Sequence, residues 1–408
     1  MTTQPRATAA ANAGSTTPGQ WRALGLLALA MLLAMTTWFS ASAVVPQLQD
    51  DWNLSATAAS LLTIAVQLGF VAGAVTSALL TLADVVPPRR VMLFGALGAA
   101  VVNGLLLAVD SAELAVALRF LTGAFLAGVY PPGMKAMSTW FRAGRGLALG
   151  VMVGALTAGS AVPHLVNALG GLDWRVVIIT TSLLTIVGGL IAEFAVTDGP
   201  HEFPVAPFRP RQVLDVVRNR RWRLASYGYF GHMWELYAMW AWIVVFLSAS
   251  FEESGLSNAD TLGPLAAFAA IGIGAVGCVV GGALADRRGR EWLTAVAMVL
   301  SGASSLVVGL AWGGPTWVVV AIVLVWGVTV VADSAQFSTI VTEVSDQRYV
   351  GTALTLQLAI GFSLTVVTIW LIPVVVDAVG WRWAFVTLAP GPAVGTAAMV
   401  RLRRLRGV

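Results

Sequence analysis

The stretch Gly282-Ala283-Leu284-Ala285-Asp286-Arg287-Arg288-Gly289-Arg290 decides the fold. It follows directly on a long apolar run. A glycine, an acid and a basic cluster therefore stand where a hydrophobic helix leaves a membrane. A degraded copy, Ser77 to Arg90 with Asp84, Arg89 and Arg90, follows the second apolar run of the chain. The spacing of Asp84 and Asp286, about 202 positions, divides the chain into two related halves. Two further pairs recur at similar spacing. Arg145-Gly146 answers Arg348 and Gly351, and Trp174-Arg175 answers Trp381-Arg382.

Composition limits the class. Hydrophobic residues make up 58% of the 408 residues and charged ones 11%, against about a quarter charged in an ordinary soluble domain. In water such a chain would aggregate. In a bilayer it is expected, because each spanning helix needs ~20 mostly apolar residues. Lipid leaves backbone groups no partner, so only helices or closed barrels span it. The unbroken run 23–46 excludes a barrel. Charge clusters and Gly/Pro breaks predict twelve spans, roughly 23–46, 57–83, 91–109, 112–139, 146–168, 175–196, 224–249, 263–285, 292–312, 316–340, 350–376 and 382–400.

The expected organisation is a disordered cytoplasmic segment 1–20 without a cleavable signal, a six-helix bundle 21–196, a linker 197–223, a second bundle 224–400 and a basic tail 401–408. In the linker, four prolines precede Arg211–Arg223, where Val213, Leu214, Val216 and Val217 alternate with charge. It reads as an amphipathic helix on the cytoplasmic leaflet or as a solvated hinge. With the N-terminus inside, every Lys and Arg except Arg119, Arg175 and Arg382 falls on that side or at helix ends facing it. Both termini are then cytoplasmic. The net charge of +4 is topological and no nucleic-acid signal. The excess of Arg over Lys, with abundant Ala, Gly and Val, points to a GC-rich bacterial genome and hence to the inner membrane.

Other chemistry finds no support. Three scattered His and one Cys predict no metal site. No Gly-x-x-x-x-Gly-Lys-Ser/Thr run occurs, so no ATP site, cofactor or enzymatic role is expected. Gly272-Ile273-Gly274-Ala275-Val276-Gly277 matches a dinucleotide fingerprint by letters, but no strand precedes it. It reads as a close-packing face, as do Gly146, Gly150 and Gly154. Cys278, alone in an apolar run, excludes an intrachain disulfide.

The pattern of Gly282, Asp286, Arg287, Gly289 and Arg290 resembles the cytoplasmic loop motif of major facilitator superfamily transporters. The resemblance covers Trp21–Arg406. It implies an all-α membrane protein of twelve transmembrane helices in two pseudo-symmetric six-helix bundles, with a midplane site between them. It implies a secondary transporter, usually monomeric, working by alternating access. It gives Asp84, Arg89, Arg90, Gly282, Asp286, Arg287 and Arg290 a gating role, Asp286 facing a helix N-terminus or an Arg. Trp140-Phe141 followed by Arg145-Gly146-x-Ala148-x-Gly150 is similar to the monocarboxylate, oxalate/formate and cyanate-type branches. Gly150 and Gly159 partly match the antiporter motif of span five, but Pro163 is followed by His164, so antiport is not implied.

In the superfamily, spans one, four, seven and ten line the path, and the buried charges fall on them. Arg119 lies well inside span four, where an unpaired guanidinium costs several kcal/mol. Glu235 is near the centre of span seven, with His232 three positions away on one helical face. A carboxyl in such a setting can exchange a proton near neutral pH. Asp333 lies in span ten with Gln336 and Trp326. The expected scheme pairs the ionised acids with Arg119 across the halves, His232 tuning Glu235. Trp38, Tyr130, Tyr237, Trp240, Trp326 and Gln336 are candidate cavity-lining residues. Pro131-Pro132 predict a kink in span four. Lys135, ~160° around an ideal helix from Arg119, is expected to face elsewhere. The competing structural readings are an Arg119 bonded to carbonyls, a Glu235 that packs with His232, and aromatics that join helices.

These residues predict a carrier of a small organic solute coupled to protons. A broad exporter of apolar or cationic compounds is the alternative, since acids and aromatics suit a cation. A membrane sensor that binds solute without moving it is a third reading.

Overall fold

The computed structural model describes residues 17–80, 82–141, 144–169, 173–201, 209–346, 348 and 350–407, without the side chains of 56, 57, 83, 84 and 210. The predicted N-terminal segment, up to residue 16, and linker residues 202–208 lie outside the described residues. No strand occurs among the described residues. Twelve helices there are long and apolar enough to cross a membrane. They are α1 (Gln20–Thr37), α2 (Ala58–Leu79), α3 (Pro88–Ala108), α4 (Ala112–Ser138), α5 (Arg145–Leu169), α6 (Trp174–Phe194), α7 (Arg220–Glu253), α8 (Ala259–Arg288), α9 (Arg290–Ala311), α10 (Thr316–Val344), α11 (Val350–Val379) and α12 (Trp381–Arg406).

Side-chain caps set several starts. Ser55 Oγ accepts from the Ala58 N–H, Ser111 Oγ from Leu114, and Asn219 Oδ1 from Arg221 and Trp222. Each satisfies an orphan donor of the first turn.

Small residues decide the packing. Among the first six helices α2 packs on α4, α3 on α6, and α1 on α5 and α6. The same pairs return six helices later: α8 on α10, α9 on α12, and α7 on α11 and α12. A Cβ on Gly69 or Gly123 would overlap the backbone of Phe120 or Val66, so α2 and α4 touch backbone to backbone. The two sets meet along two seams, α2 on α11 and α5 on α8. At the second seam a Cβ on Gly150 would stand 2.5 Å from the Cys278 carbonyl oxygen, and one on Gly154 would stand 3.0 Å from that of Ala275.

Several helices are interrupted, α8 at Ile273 among them, and the breaks in α1, α4 and α10 place the site. Regular helix in α1 ends at Ala34 and gives way to tight turns at Met35–Thr37 and Ser42–Val44. The run expected as one span, 23–46, is thus interrupted, and Val45–Trp52 forms a separate short helix. In α4 the pieces are Ala112–Leu126 and Tyr130–Ser138. Pro131 and Pro132 fall in the first turn of the second piece, where a missing N–H leaves no bond unmade. The break therefore precedes the prolines instead of forming at them. In α10 the pieces are Thr316–Val331 and Ser334–Val344, with Asp333 at the junction. By contrast α7 runs unbroken over 34 residues.

The linker ends in a short helix, Val213–Arg218. Val216 is buried with Trp222 of α7, and the Arg209 N–H donates to Thr352 Oγ1 of α11 at 2.8 Å.

Candidate functional site

A cavity of about 370 Å³ lies between α2, α4 and α5 on one side and α7, α10 and α11 on the other. It runs from Tyr237, Trp240 and Phe362 at mid-depth to Lys135, Ser138 and Ser338 near the face that bears both Gln20 and Arg406. Ser338 is exposed there. The opposite end is sealed by aromatic rings from both sets of helices. Trp38 stands 4.8 Å from Phe70 and 5.8 Å from Tyr237, ring centre to ring centre, and Phe70 stands 4.6 Å from Phe362. Phe39 meets Trp240 edge-on at 5.8 Å. Such pairs contribute about 0.5–1.5 kcal/mol each beyond area burial, so the seal is firm.

Tyr130, Tyr237 and Trp240 are on the cavity wall. Trp38 backs the seal, Trp326 turns away, and Gln336 is fully buried off the wall. Lys135 is on the wall and Arg119 is not, so the two face apart, in line with the ideal-helix expectation.

The break in α10 brings the titratable groups together. His232 Nδ1 lies 2.9 Å from Asp333 Oδ1, and its Nε2 lies 2.7 Å from Ser334 Oγ. His232 is on the cavity wall, and Asp333 sits directly behind it with its side chain 1% exposed. The approach of Nδ1 is off the line of a hydrogen bond, and neither Asp333 oxygen has a hydrogen-bond partner. The ring of Tyr229 stacks on His232 at 6.2 Å, and Phe337 packs at 5.3 Å.

This corrects the expectation that His232 tunes Glu235. Residues three apart on a helix are still ~60° apart around its axis. His232 turns to the α10 break, while Glu235 turns to α9. Glu235 Oε1 accepts from Trp326 Nε1 and its Oε2 from Ser301 Oγ, each at 2.8 Å. Glu235 is 1% exposed and off the cavity wall. It joins α7, α9 and α10.

Arg119 requires a second correction. Its guanidinium is completely buried and satisfied by oxygens of the first six helices. Nη1 donates to Thr37 O at 3.0 Å, Ser40 Oγ at 3.1 Å and Asn103 Oδ1 at 3.0 Å. Nη2 donates to Trp38 O, and Nε to Leu62 O at 3.4 Å. Among the described residues no carboxylate pairs with it, so the expected pairing with Glu235 and Asp333 across the halves is not made. The cause is the break in α1, which frees the Thr37 and Trp38 carbonyls to face the guanidinium.

The loop charges pair at the face that bears the termini. Asp286 packs against Gly146 in the first turn of α5 so closely that a Cβ on Gly146 would overlap its carboxylate. An acid there faces the positive end of the helix. A Cβ on Gly282 would in turn stand 2.5 Å from the Gly146 carbonyl oxygen. Arg290 stands 3.7 Å from Asp286 and 3.5 Å from Glu343, and Arg406 bridges Glu343 and Glu291. In the first half Arg89 stands 3.7 Å from Asp198, and Arg90 stands 3.5 Å from Glu193. Arg287 is exposed, and the Asp84 side chain lies outside the described residues. Between α10 and α11, the Arg348 side chain and N–H hold the Asp346 carboxyl down to about 2.

The family model described as Major Facilitator Superfamily matches residues 27–367. The chain belongs to the Major Facilitator Superfamily. Members of this superfamily are transporters of small solutes and not enzymes, and this one is a multi-pass membrane protein. A stretch of 149 residues is 34% identical to the Multidrug efflux pump LfrA of Mycolicibacterium smegmatis (strain ATCC 700084 / mc(2)155). That match takes in 36% of this chain and spans 29% of the relative's length.

Several residues of this transporter's site escaped the sequence reading. Ser334 and Ser301, which hold His232 and Glu235, are two hydroxyls among many in apolar helices. Gln357 and Phe362 on α11 line the cavity from a helix whose sequence carries no charge there. Only the Asp333-Ser334 dipeptide, an acid followed by a helix-starting serine, carried a local signal.

Proposed function

We propose that the protein is a proton-coupled secondary transporter that moves a small organic solute by alternating access. The observation that carries this reading is the His232–Asp333 contact at the cavity wall, 2.9 Å long and set on the break in α10. A proton entering from the cavity meets His232 first and can pass to Asp333. The charged pair holds α7 against the lower piece of α10. Its neutralisation removes that attraction and lets the two helices shift relative to each other. Glu235, behind them, ties α9 to the same two helices, so the shift is carried through the second bundle as a unit.

In this reading the bundles 21–196 and 224–400 move about the cavity, joined by the 197–223 linker. The chain works as a monomer in a bacterial cytoplasmic membrane, with both termini cytoplasmic. Asp286, Arg290 and the Arg89 and Arg90 pairs latch neighbouring helices there and bias the inward/outward equilibrium. Arg119 holds the broken end of α1 in place. The test is substrate-evoked proton movement in proteoliposomes, screened with pools of small carboxylates, amines and lipophilic cations. Alkalinisation or acidification evoked by one class, absent with Asp333→Asn, is the expected result. Solute flux without proton movement at any pH would remove the proposal.

A second reading is extrusion of drug-like compounds. It is favoured by the match to a multidrug efflux pump and by the aromatic character of the cavity. Energised uptake of a dye into inverted vesicles, competed by unrelated apolar compounds, would support it. Strict selectivity for one solute would count against it.

A further inference from the structure

Four buried polar side chains border the irregular stretch Met35–Val44 of α1. Trp38 belongs to that stretch. Gln67 lies on α2 between Thr63, whose hydroxyl bonds Ser42, and Phe70, whose ring is 4.8 Å from Trp38. His164 lies one turn before Asn167, whose Nδ2 donates to Ala43 O at 2.8 Å. Trp240 on α7 stands 5.8 Å from Phe39. Each of the four is at most 1% exposed. Yet Trp38 Nε1, Trp240 Nε1, both amide atoms of Gln67 and both ring nitrogens of His164 have no hydrogen-bond partner.

Buried polar groups are nearly always paired, because leaving one unpaired forfeits its hydration without return. Most of their neighbours obey this, Thr37 Oγ1 in the same stretch being an exception. Arg119, Asn103, Ser40 and the Ser42–Thr63 pair are all bonded. The unpaired groups stand among bonded ones. They come from α1, α2, α5 and α7, where the first six helices meet α7. The layer formed by Phe70, Tyr237 and Phe362 closes the present cavity off from Trp38, Gln67 and His164, while Trp240 stands at the cavity wall.

We infer that Gln67, His164 and Trp38, with Trp240 at the boundary to the present cavity, form a second polar subsite of the solute path, closed here and opened toward the opposite membrane face in the other half of the cycle. It goes beyond proton coupling and rests on the transport reading only for the existence of that other half. Both indoles can only donate, while Gln67 and a neutral imidazole each donate and accept. Donors outnumber acceptors and no carboxylate is among the four. The subsite thus fits an uncharged solute with a carbonyl-type oxygen, held between ring faces, and not a cation.

Single substitutions Gln67→Cys and His164→Cys, each with Cys278→Ser, test this in right-side-out and inside-out vesicles with a membrane-impermeant maleimide. Ser338→Cys reports the present cavity mouth. The expected result is labelling of Gln67→Cys and His164→Cys from the face opposite to the one that labels Ser338→Cys. Acetylnaphthalene should slow that labelling severalfold, and naphthyl trimethylammonium should not. In the unsubstituted protein the same ketone should quench tryptophan fluorescence saturably. Inertness from both faces while Ser338→Cys reacts, labelling from the Ser338 face, protection by the ammonium alone, or no protection and no quenching would overturn the inference. Loss of proton movement with labelling intact would remove the coupling proposal and leave the subsite standing.

Discussion

At the residue scale, charges in this membrane protein divide by what satisfies them. Arg119 is held by carbonyl, hydroxyl and amide oxygens alone, three of them on the broken end of α1, and the proposed role is to fix that end. Arg119→Ala leaves several buried acceptors unpaired and should cost roughly 3–5 kcal/mol of stability. Arg119→Lys supplies a point charge where a fork is needed, and should recover only part of it. Thermal unfolding of the purified protein checks both; an Arg119→Ala protein as stable as the parent would contradict this role. Glu235 differs in that both its oxygens accept from neutral donors. Glu235→Gln keeps one acceptor and turns an amide N–H₂ toward a donor. The expected outcome is a slower transport cycle with proton movement retained, read as solute flux and proton flux on the same vesicles. Complete loss of proton movement with solute flux intact would place coupling at Glu235 instead.

At the scale of elements, the broken helices matter most. Sequence reading found the glycine stripe of α5, because spacing by four puts Gly146, Gly150 and Gly154 on one face. The structure lays that face against α8. Gly150→Val forces side-chain volume against the Cys278 backbone, and overpacking of this kind costs about 1–3 kcal/mol. A lower melting temperature and slower transport should appear together in detergent melts and flux assays; an unchanged melt would mean that the seam is looser than drawn. The breaks themselves were only partly legible. Paired prolines mark the one in α4, but they start a helix piece and do not kink it. The breaks in α1 and α10 carry no Gly or Pro, and arise where Arg119 and the His232–Asp333 contact bind the freed backbone and its neighbours. Tertiary partners of that kind cannot be read from local propensity.

At the scale of the whole molecule, hydropathy and charge made the fold readable. Twelve spans were expected and twelve occur among the described residues, because lipid forces each segment to satisfy its own backbone. The site was less legible. Which face of α7 meets which neighbour depends on helix rotation, so His232 and Glu235 could be placed near one another in sequence yet serve different partners. The arrangement of Lys and Arg predicts that an impermeant reagent reaches cysteines at Arg223 and at Gly407 only from the cytoplasm. Reaction from outside would invert the topology. The Asp346–Arg348 pair stays ionised well below any working pH, since its carboxyl is lost only as pH falls through about 2. The pH dependence of transport then does not come from that pair. The most direct measurement is therefore substrate-evoked proton movement in proteoliposomes of the parent protein and of Asp333→Asn, alongside solute exchange without a gradient. The account predicts proton movement in the parent, none with Asp333→Asn, and exchange surviving in both. Proton movement undiminished in Asp333→Asn would contradict it.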